Sequence, residues 1–385
     1  MAQNKKSDKD RTDADIIKLV QEILLKAVQS GASDVHFEPT IKQFEIRYRL
    51  DGVLNTVATF PEKLGSTIIA RLKVMAGLIS YRSDIPQEGR IQLEGVVADR
   101  VTDQRLAVFP TIYGERAVVR LFYSDQGLED LEQLGLSGYV TARLMAQARQ
   151  CRGVLLVSGP AGSGKTTTLA AFIRYILKVY PGKSIITVED PVERRIEGVT
   201  QIQVSQQGDL DFPSALRSLM RQDPEVIMIG EIRDSETAKI AIEAALTGHM
   251  LLSTVHSGSP GGAMLRLLEM GIEPYQVSSS VTAIINQRLV RKLCQACRQW
   301  NQSNGSYEPV GCDQCLHTGF HGRTLLAEYI EMDDDIRQAV LTKEHTEVLE
   351  SMFRHRGLMP VRQKGLIKVQ QGITSASELA ALAAR

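Results

Sequence analysis

The stretch from Gly159 to Thr166 reads Gly-Pro-Ala-Gly-Ser-Gly-Lys-Thr and fits the pattern GxxxxGK[ST] without a mismatch. An apolar run, GVLLVSG, leads into it and a helical pattern follows, which is the context that this pattern requires. Glycines allow backbone N–H groups to turn toward phosphates, and a helix N-terminus adds partial positive charge. The sequence therefore predicts a phosphate-binding loop between a strand and a helix of an α/β fold.

Each residue type in the loop has a chemical reason. Lys165 is predicted to reach the β- and γ-phosphates of a nucleotide, and Thr166 to ligate Mg²⁺. A glycine turn without a ligand is the alternative, and the complete motif disfavours it. The predicted nucleotide contacts are Gly159, Pro160, Ala161, Gly162, Ser163, Gly164, Lys165, Thr166 and Thr167. The loop by itself leaves ATP and GTP open.

The chain of 385 residues is long enough for two or three domains. Residues 1–12 are charged and polar and are predicted to form a flexible arm. Apolar residues then recur at helical spacing over 16–28, and the alternating run FEIRYRL precedes the hairpin signal Asp51-Gly52. We therefore predict an α+β domain over 13–126.

The pattern changes after a predicted linker at 127–138. The apolar runs SIITVED, VTQIQV, EVIMIGE and HMLLSTVH follow the phosphate loop, with helical stretches between some of them. Such alternation is typical of a mostly parallel sheet that is covered on both faces. We therefore predict an α/β domain over 139–385. It includes an irregular Cys- and Gly-containing element at 294–322 and a helical C-terminal region at 333–385.

Two acidic elements are predicted to lie beside the phosphate loop, because ligands of doubly wound sheets bind beyond the carboxyl ends of strands. The run EVIMIGE ends at Glu231, which could bind Mg²⁺ through water or polarise the attacking water. Glu189, Asp190 and Glu193 follow the run SIITV and could supply a general base. The alternatives are a surface glutamate that closes a strand and an ordinary acidic turn.

Two histidines, His249 and His256, flank the run MLLSTV and are predicted to lie at opposite ends of one strand. His256 would lie at the carboxyl end, near the phosphates, where it could sense the terminal phosphate. A lone histidine is more often structural, so the residue pattern alone favours that alternative.

Cys294-x₂-Cys297 and Cys312-x₂-Cys315 are separated by 14 residues. Paired CxxC motifs predict a tetrahedral Zn²⁺ site, and four thiolate ligands would make it structural and not catalytic. Four unrelated thiols are the alternative. Cys151 lies outside the pattern and is interpreted as a small apolar residue.

Composition disfavours several classes of protein. Lys plus Arg and Asp plus Glu are equal at 45 each, and aromatic residues make up 5%, so a specific nucleic-acid partner is not expected. Apolar runs fall short of the ~18 residues that span a bilayer, and the polar N-terminus does not resemble a secretory signal. These features predict a cytoplasmic protein.

Four segments together resemble one family. GPAGSGKTTT, TVEDPVE, LMRQDPEVIMIGEIRD and ALTGHMLLSTVHS are similar, in order, to the Walker A motif, Asp box, Walker B motif and His box of the type II/IV secretion ATPases. SDVHFEP, RYRLDGV, PQEGRI and FPTIYGER resemble the first domain of that family. The resemblance extends over residues 13–331. A departure is the continuation VHSGSPGGA after the His box.

The resemblance implies a PAS-like domain followed by a RecA-like ATPase domain, assembled as a homohexamer with ATP between the domains. It implies that Glu189, Glu193 and Glu231 serve metal binding and water activation, and that His256 approaches the γ-phosphate. The arginines that it implies for completing the site are Arg105, Arg120, Arg217 and Arg221. A surface salt bridge is the alternative role for each of these arginines.

The function implied by the resemblance is a cytoplasmic motor that acts through an inner-membrane platform protein and associates peripherally with that membrane. It would assemble type IV pili or type II secretion pseudopili, with ATP, Mg²⁺ and Zn²⁺ as cofactors. The cysteine pairs favour this branch over a retraction or conjugative-transfer ATPase, and the intact motifs disfavour a non-hydrolysing scaffold. The chain begins near the PAS-like domain, so we expect the longer N-terminal domain of secretion ATPases to be missing.

Overall fold

The computed structural model describes residues 13–91, 101–123, 130–204 and 210–383. The predicted arm at 1–12 and the first three positions of the predicted linker lie outside these residues. Contacts divide the chain into two compact units. The first unit comprises Met1–Gln126, Leu293–Gln299 and Glu308–Gly322, and the second comprises Gly127–Lys292, Trp300–Tyr307 and Arg323–Arg385.

In the part of the first unit that the structure describes, two helices accompany a six-stranded antiparallel sheet. Its elements are α1 (Asp13–Gln29), β1 (Asp34–Pro39), β2 (Phe44–Leu50), β3 (Val53–Phe60), α2 (Glu62–Met75), β4 (Gln87–Arg90), β5 (Val101–Thr111) and β6 (Gly114–Tyr123). The strand order is β3-β2-β1-β6-β5-β4. The prediction of an α+β region is confirmed by these elements, whereas the PAS-like assignment stays a prediction.

Local sequence explains how this unit is built. The apolar stripe of α1 packs with the inward-facing residues of β1 and β2 in one core, which includes Val20, Leu24 and Phe37. The hairpin between β2 and β3 turns at Asp51 and Gly52, which have φ values of 49° and 88°. Positive φ at both central residues is the backbone of a type I′ turn, so the predicted Asp-Gly signal is confirmed.

The second unit contains the larger sheet. Its first elements are α3 (Gly138–Gln150), β7 (Gly153–Ser158), α4 (Lys165–Val179), β8 (Ile185–Glu189), β9 (Thr200–Gln203), α5 (Phe212–Leu219), β10 (Val226–Ile229), α6 (Ser235–Leu246), β11 (Met250–Val255), α7 (Pro260–Glu269), α8 (Pro274–Ser280) and β12 (Val281–Leu293). Two short strands, β13 (Gln299–Asn301) and β14 (Ser306–Glu308), form a separate ribbon. The last elements are β15 (Phe320–Glu331), α9 (Asp334–Leu341), α10 (Thr346–His355), α11 (Val361–Gln370) and α12 (Ala376–Ala383).

The strand order of this sheet is β15-β12-β7-β11-β10-β8-β9, and the pairs from β12 to β9 are parallel. Alternate residues of β7 enter two cores: Val154 and Leu156 pack on one face, and Leu155 and Val157 on the other. Helices cover both faces, which is why the central strands read as continuous apolar runs. The predicted mostly parallel α/β sheet is confirmed.

Two further regions bear on the predicted boundaries. Within the predicted linker, Leu131–Leu134 forms a 3₁₀ turn whose Leu131 and Leu134 are buried in the core of the second unit.

Most of the cysteine-containing segment groups with the first unit, where the N–H of Gly322 donates to Asp51 Oδ2 over 2.7 Å. The domain boundaries themselves stay predictions.

The C-terminal region is helical, as expected from residue 333 onward. Asp333 accepts a hydrogen bond from the N–H of Ile336 and so caps α9 at its N-terminus. Among the helices within the described ranges, none combines the length and apolar character needed to cross a bilayer.

Truncation of a buried side chain in the core of the second unit should destabilise the fold. Phe172 on α4 is fully buried, so Phe172→Ala should lower the free energy of unfolding by about 3–5 kcal/mol. Chemical denaturation followed by circular dichroism measures this change. Tyr275→Ala is the matched control, since Tyr275 is 59% exposed and its loss should cost no more than about 0.5 kcal/mol. Equal losses in the two variants would contradict the assigned core.

Candidate functional site

The phosphate loop connects the buried strand β7 to the start of α4 at Lys165. Gly159 has φ 146°, and a Cβ atom there would lie 2.4 Å from the carbonyl oxygen of Gln287 and 2.6 Å from Ser163 Oγ. Gly162 and Gly164 adopt left-handed φ values of 72° and 87°. Glycine is therefore needed for close approach at the first position and for backbone conformation at the other two.

The polar groups of the loop fit an anionic ligand. Lys165 is buried, and its Nζ donates to the carbonyl oxygens of Gly159 and Pro160 over 2.9 and 3.0 Å. Burial is the main cause that lowers the pKa of this ammonium group. Ser163 Oγ is buried without a hydrogen-bond partner among the described residues. A lysine that donates to its own loop and, among the described residues, a hydroxyl without a partner are groups that a phosphate would engage.

Gln287 of β12 supports the loop from beneath, and sequence reasoning did not find it. Its side chain is fully buried, its Nε2 donates to the carbonyl oxygen of Ser163 over 2.8 Å, and its Oε1 accepts from Thr168 Oγ1 over 3.0 Å. The available signal was a polar pair, Asn286-Gln287, inside an apolar strand. Nothing local connects that pair to a loop more than 120 residues earlier.

A cavity of about 200 Å³ adjoins the loop at the carboxyl edge of the sheet. The strands β8, β10 and β11 contribute residues to it, and so does the loop that follows β7, as expected for a doubly wound sheet. Of the predicted site residues, its lining includes Gly162, Lys165, Thr166, Glu189, Asp190, Glu193, Glu231 and His256. Thr167, on the first turn of α4, is outside the lining that the structure describes, and so are the loop residues Gly159, Pro160, Ala161, Ser163 and Gly164.

Glu231 contacts two basic side chains at the cavity. Its Oε2 lies 3.4 Å from His256 Nε2, and its Oε1 forms an ion pair with Arg233. The hydrogen bond to Glu231 raises the pKa of Arg233. Sequence reasoning did not single out Arg233, although it lies two residues beyond Glu231 in the same motif. The pairing means that a bound ion or water would have to share this carboxylate with a cation already present.

Glu189, the last residue of β8, and Glu193, four residues further on, differ in environment. Glu189 is 4% exposed and accepts hydrogen bonds from Thr187 Oγ1 at 2.7 Å and Gln201 Nε2 at 3.1 Å. Burial raises the pKa of the Glu189 carboxyl, and these two hydrogen bonds oppose that change. Glu193 is exposed at the cavity rim. The buried carboxylate suits a fixed acceptor, whereas the exposed one can turn toward a ligand.

The predicted arginines occupy other places. Arg217 is exposed on α5 and forms an ion pair with Glu236, and Arg221 is exposed just beyond that helix. Neither belongs to the cavity lining that the structure describes. In the first unit, Arg120 Nε lies 3.0 Å from Asp34 Oδ1. Arg105, also in the first unit, pairs with its neighbour Asp103 over 3.2 Å and stacks 5.0 Å above the ring of Phe122.

The four paired cysteines come together as the sequence predicts. The Sγ atoms of Cys294, Cys297, Cys312 and Cys315 all lie within 4.8 Å of one another. The closest pairs, at 3.8 Å, join Cys315 to Cys297 and to Cys312. Sulfur atoms at this spacing are too far apart for disulfides and suit ligands around one tetrahedral ion.

Backbone donors add to the metal-binding character of the cluster. Gly311 N–H donates to Cys297 Sγ over 3.3 Å, and Gly319 N–H donates to Cys315 Sγ over 3.3 Å. Burial acts to raise the pKa of the Cys315 thiol, but the N–H donors and neighbouring thiols outweigh it and lower that pKa to about 6. In the same cluster, burial is the main cause that raises the pKa of the Cys297 thiol to about 12. The fit to Zn²⁺ therefore rests on the geometry, in which four sulfur atoms lie close enough to ligate one ion.

Comparison with known proteins agrees with these features. The family model described as "Type II/IV secretion system protein" matches residues 9–381. The chain is 39% identical to the type II secretion system ATPase E of Vibrio cholerae, over 98% of this chain and 77% of that protein. It is 37% identical to the type IV pilus assembly ATPase TfpB of Acinetobacter baylyi, over 96% of this chain and 66% of that protein.

Solved structures show a similar fold. The ATPase DotB of Legionella pneumophila superposes with a TM-score of 0.69 at 20% identity, covering 99% of this chain and 98% of that one. The pilus retraction motor PilT, solved with bound ADP, has a TM-score of 0.60 at 25% identity, covering 94% of this chain and 95% of that one. The family match extends over nearly the whole chain, and the chain therefore belongs to the type II/IV secretion system protein family, whose relatives include type II secretion and type IV pilus assembly ATPases.

Proposed function

We propose that this chain is a cytoplasmic motor that hydrolyses ATP to drive assembly of type IV pili or type II secretion pseudopili. The observation that carries the proposal is the cavity beside the phosphate loop. There Lys165 and Thr166 meet carboxylates from two further strands and His256. Membership of a family with secretion and pilus ATPases supports the biological direction of the proposal.

In the proposed reaction, the loop and Lys165 bind the phosphates, and Lys165 exchanges its carbonyl partners for phosphate oxygens. Thr166 and Glu231 would hold Mg²⁺, directly or through water, and the bound ion would neutralise charge on the β- and γ-phosphates. Glu231, Glu189 or Glu193 orients the attacking water and accepts its proton. His256, which neighbours Glu231, contacts the γ-phosphate.

Arginines are proposed to complete the site when subunits assemble into a homohexamer. Negative charge is spread over the transferred phosphoryl group, and an arginine supplied in this way can contribute about 10³–10⁵ in rate. Arg105 and Arg120 are the primary candidates, and Arg217 and Arg221 are the others. The side chains of Arg120 and Arg217 are 65% and 56% exposed, so a nucleotide could reach their guanidinium groups.

The wider arrangement is also a proposal. The first domain is taken as PAS-like and the second as RecA-like, with a hinge at 127–138 that opens and closes during hydrolysis. The hexamer would act on a platform protein in the inner membrane and associate with that membrane peripherally. No specific nucleic acid is involved, in keeping with the balanced charge of the chain.

A retraction motor is the second candidate, because PilT has a similar fold. The cysteine cluster and the relatives named for secretion and pilus assembly favour an assembly motor. Deletion of the gene in its host separates the two functions. Loss of the surface fibre or of secretion supports assembly, whereas fibres that form and cannot retract support retraction.

Substitutions in the phosphate loop and at Glu231 test ATP hydrolysis directly. Lys165→Ala and Glu231→Gln should each lower the Mg²⁺-dependent ATPase rate at least about 100-fold, because each removes a group that acts on the reacting phosphate or water. Phosphate release under conditions that favour oligomers measures the rate. Lys178→Ala, on the exposed side of the same helix α4, is the matched control and should keep wild-type activity. A wild-type rate no higher than that of the two variants would leave only a nucleotide-binding scaffold.

Formation of the oligomer should control the ATPase rate. Since arginines of the assembled protein are proposed to complete the site, ATPase activity per chain should rise with protein concentration across the monomer-to-oligomer range. Light scattering on the same samples gives the oligomeric state. A specific activity that stays flat while the mass changes would contradict the role of assembly.

The cysteine cluster is proposed to hold one structural Zn²⁺, with Cys294, Cys297, Cys312 and Cys315 as ligands. Metal analysis of the purified native protein should find about one zinc per chain, as expected for a Cys₄ site. Cys312→Ser should release the ion and lower the stability of segment 294–322, because its fold depends on metal binding. Cys151→Ser, which lies outside the cluster, is the control and should retain the zinc ion. A zinc content well under half an equivalent in native protein would contradict a structural role.

A further inference from the structure

Five charged residues form one row across the sheet of the first unit. Each lies directly opposite the next on the neighbouring strand, from β2 through β1, β6 and β5 to β4. In that order they are Arg49, Asp34, Arg120, Arg105 and Arg90. Four arginines and a single carboxylate therefore share one line of cross-strand neighbours.

Such a row is unfavourable for the sheet by itself. Arg120 opposes Arg105, and Arg105 opposes Arg90, and like charges directly opposite each other on antiparallel strands are destabilising. Two carboxylates offset this repulsion: Asp34 within the row, and Asp103, which contacts Arg105 and Arg90. A sheet that keeps arginines in this register is organised to present positive charge.

Asp34 differs from Asp103 in its burial and its contacts. It is 6% exposed, and both carboxylate oxygens are used. Oδ1 accepts from Arg120 Nε over 3.0 Å, and Oδ2 lies 3.2 Å from Arg49 Nε and accepts from Ser33 Oγ over 2.8 Å. A carboxylate fixed by three donors on a rigid strand has little freedom to move, so it sets the position of its arginine partners.

The contact to Arg120 uses the Nε atom, while the side chain as a whole stays 65% exposed. The two terminal nitrogen atoms of the guanidinium group therefore lie at the outer end of a side chain whose base is held. An arginine is a flexible side chain, and fixing it before binding reduces the entropy lost when its planar fork meets a phosphate.

We propose that Asp34 is a positioning residue for the ATPase reaction: it holds Arg120 through Nε so that the terminal nitrogens meet the phosphates of the nucleotide. The inference rests on the proposed function, in which Arg120 completes the site. It adds a residue that the motifs did not identify, and it assigns Asp34 a role through Arg120 and not through contact with substrate.

A double-mutant cycle on the full-length protein tests this role. Asp34→Asn keeps the shape of the side chain and removes its charge, so kcat/KM for ATP should fall about 10-fold or more in an otherwise wild-type chain. In the Arg120→Ala background the same change should cause less than about a 2-fold further loss, since the group that it positions is gone. In the Arg49→Ala background the 10-fold loss should persist.

Glu38→Gln is the matched control. Glu38 lies four residues further along β1 and contacts Arg116 at Nε over 3.0 Å and at Nη2 over 2.9 Å, so it is a second carboxylate on the same strand that pairs with an arginine of β6. The kcat/KM of the Glu38→Gln variant should stay within about 2-fold of the wild-type value. Binding of a fluorescent ATP analogue at one site per chain verifies that each variant is folded. If Asp34→Asn does not fold, Asp34→Glu displaces the carboxylate by one methylene group with its charge retained, and the same cycle applies.

The outcomes separate this inference from the proposed function. A loss on Asp34→Asn that is equally large with and without Arg120 indicates a structural role and overturns the inference alone. Unchanged kcat/KM in Asp34→Asn overturns it as well. Wild-type activity in Arg120→Ala overturns both the inference and the proposed role of Arg120, whereas inactivity of the wild-type chain overturns the proposed function itself.

Discussion

Parallel pairing of β7 with β11 on one side and β12 on the other holds the phosphate loop in place. The strand is buried on both faces, so the loop leaves the sheet at a fixed point and in a fixed direction. On the β11 side the sheet brings His256 to the same edge, and on the β12 side it brings Gln287 beneath the loop. Gly159 is tolerated at the junction only because it lacks a side chain. The chemistry of the cavity therefore depends on strand order.

Many of the charges with a proposed role already have a partner within the chain. Lys165 donates to carbonyl oxygens of its own loop, Glu231 pairs with Arg233, and Arg120 pairs with Asp34. Isolated charges in a partly buried site would carry a large desolvation cost, and internal partners offset it. Binding of an anionic nucleotide would then exchange the carbonyl partners of Lys165 for phosphate oxygens, whereas Arg120 would keep Asp34 and add the phosphates. Such exchange lets nucleotide binding and release change side-chain positions without exposing a bare charge.

Much of the fold could be predicted, because the signals are local. Helical spacing in α1, the Asp51-Gly52 turn and the apolar runs of the parallel strands all reflect backbone geometry that neighbouring residues determine. The cysteine pairs were also predictable, since CxxC spacing places two thiols together on one turn. The spacing of the cysteines does not predict which other parts of the chain pack against the cluster. The grouping of most of 294–322 with the first unit depends on contacts between residues far apart in the chain.

The sequence by itself determined the phosphate loop, the carboxylates that follow two strands, and the cysteine cluster, because each is a short motif whose local geometry carries its chemistry. Only the tertiary structure determined which side chains contact the residues of these motifs. Gln287 beneath the loop and Asp34 beside Arg120 come from distant strands, and no local pattern predicts which strands become neighbours. It also placed Arg217 outside the described cavity lining, against Glu236. Side-chain contacts of this kind depend on strand order and register, which a linear pattern does not specify.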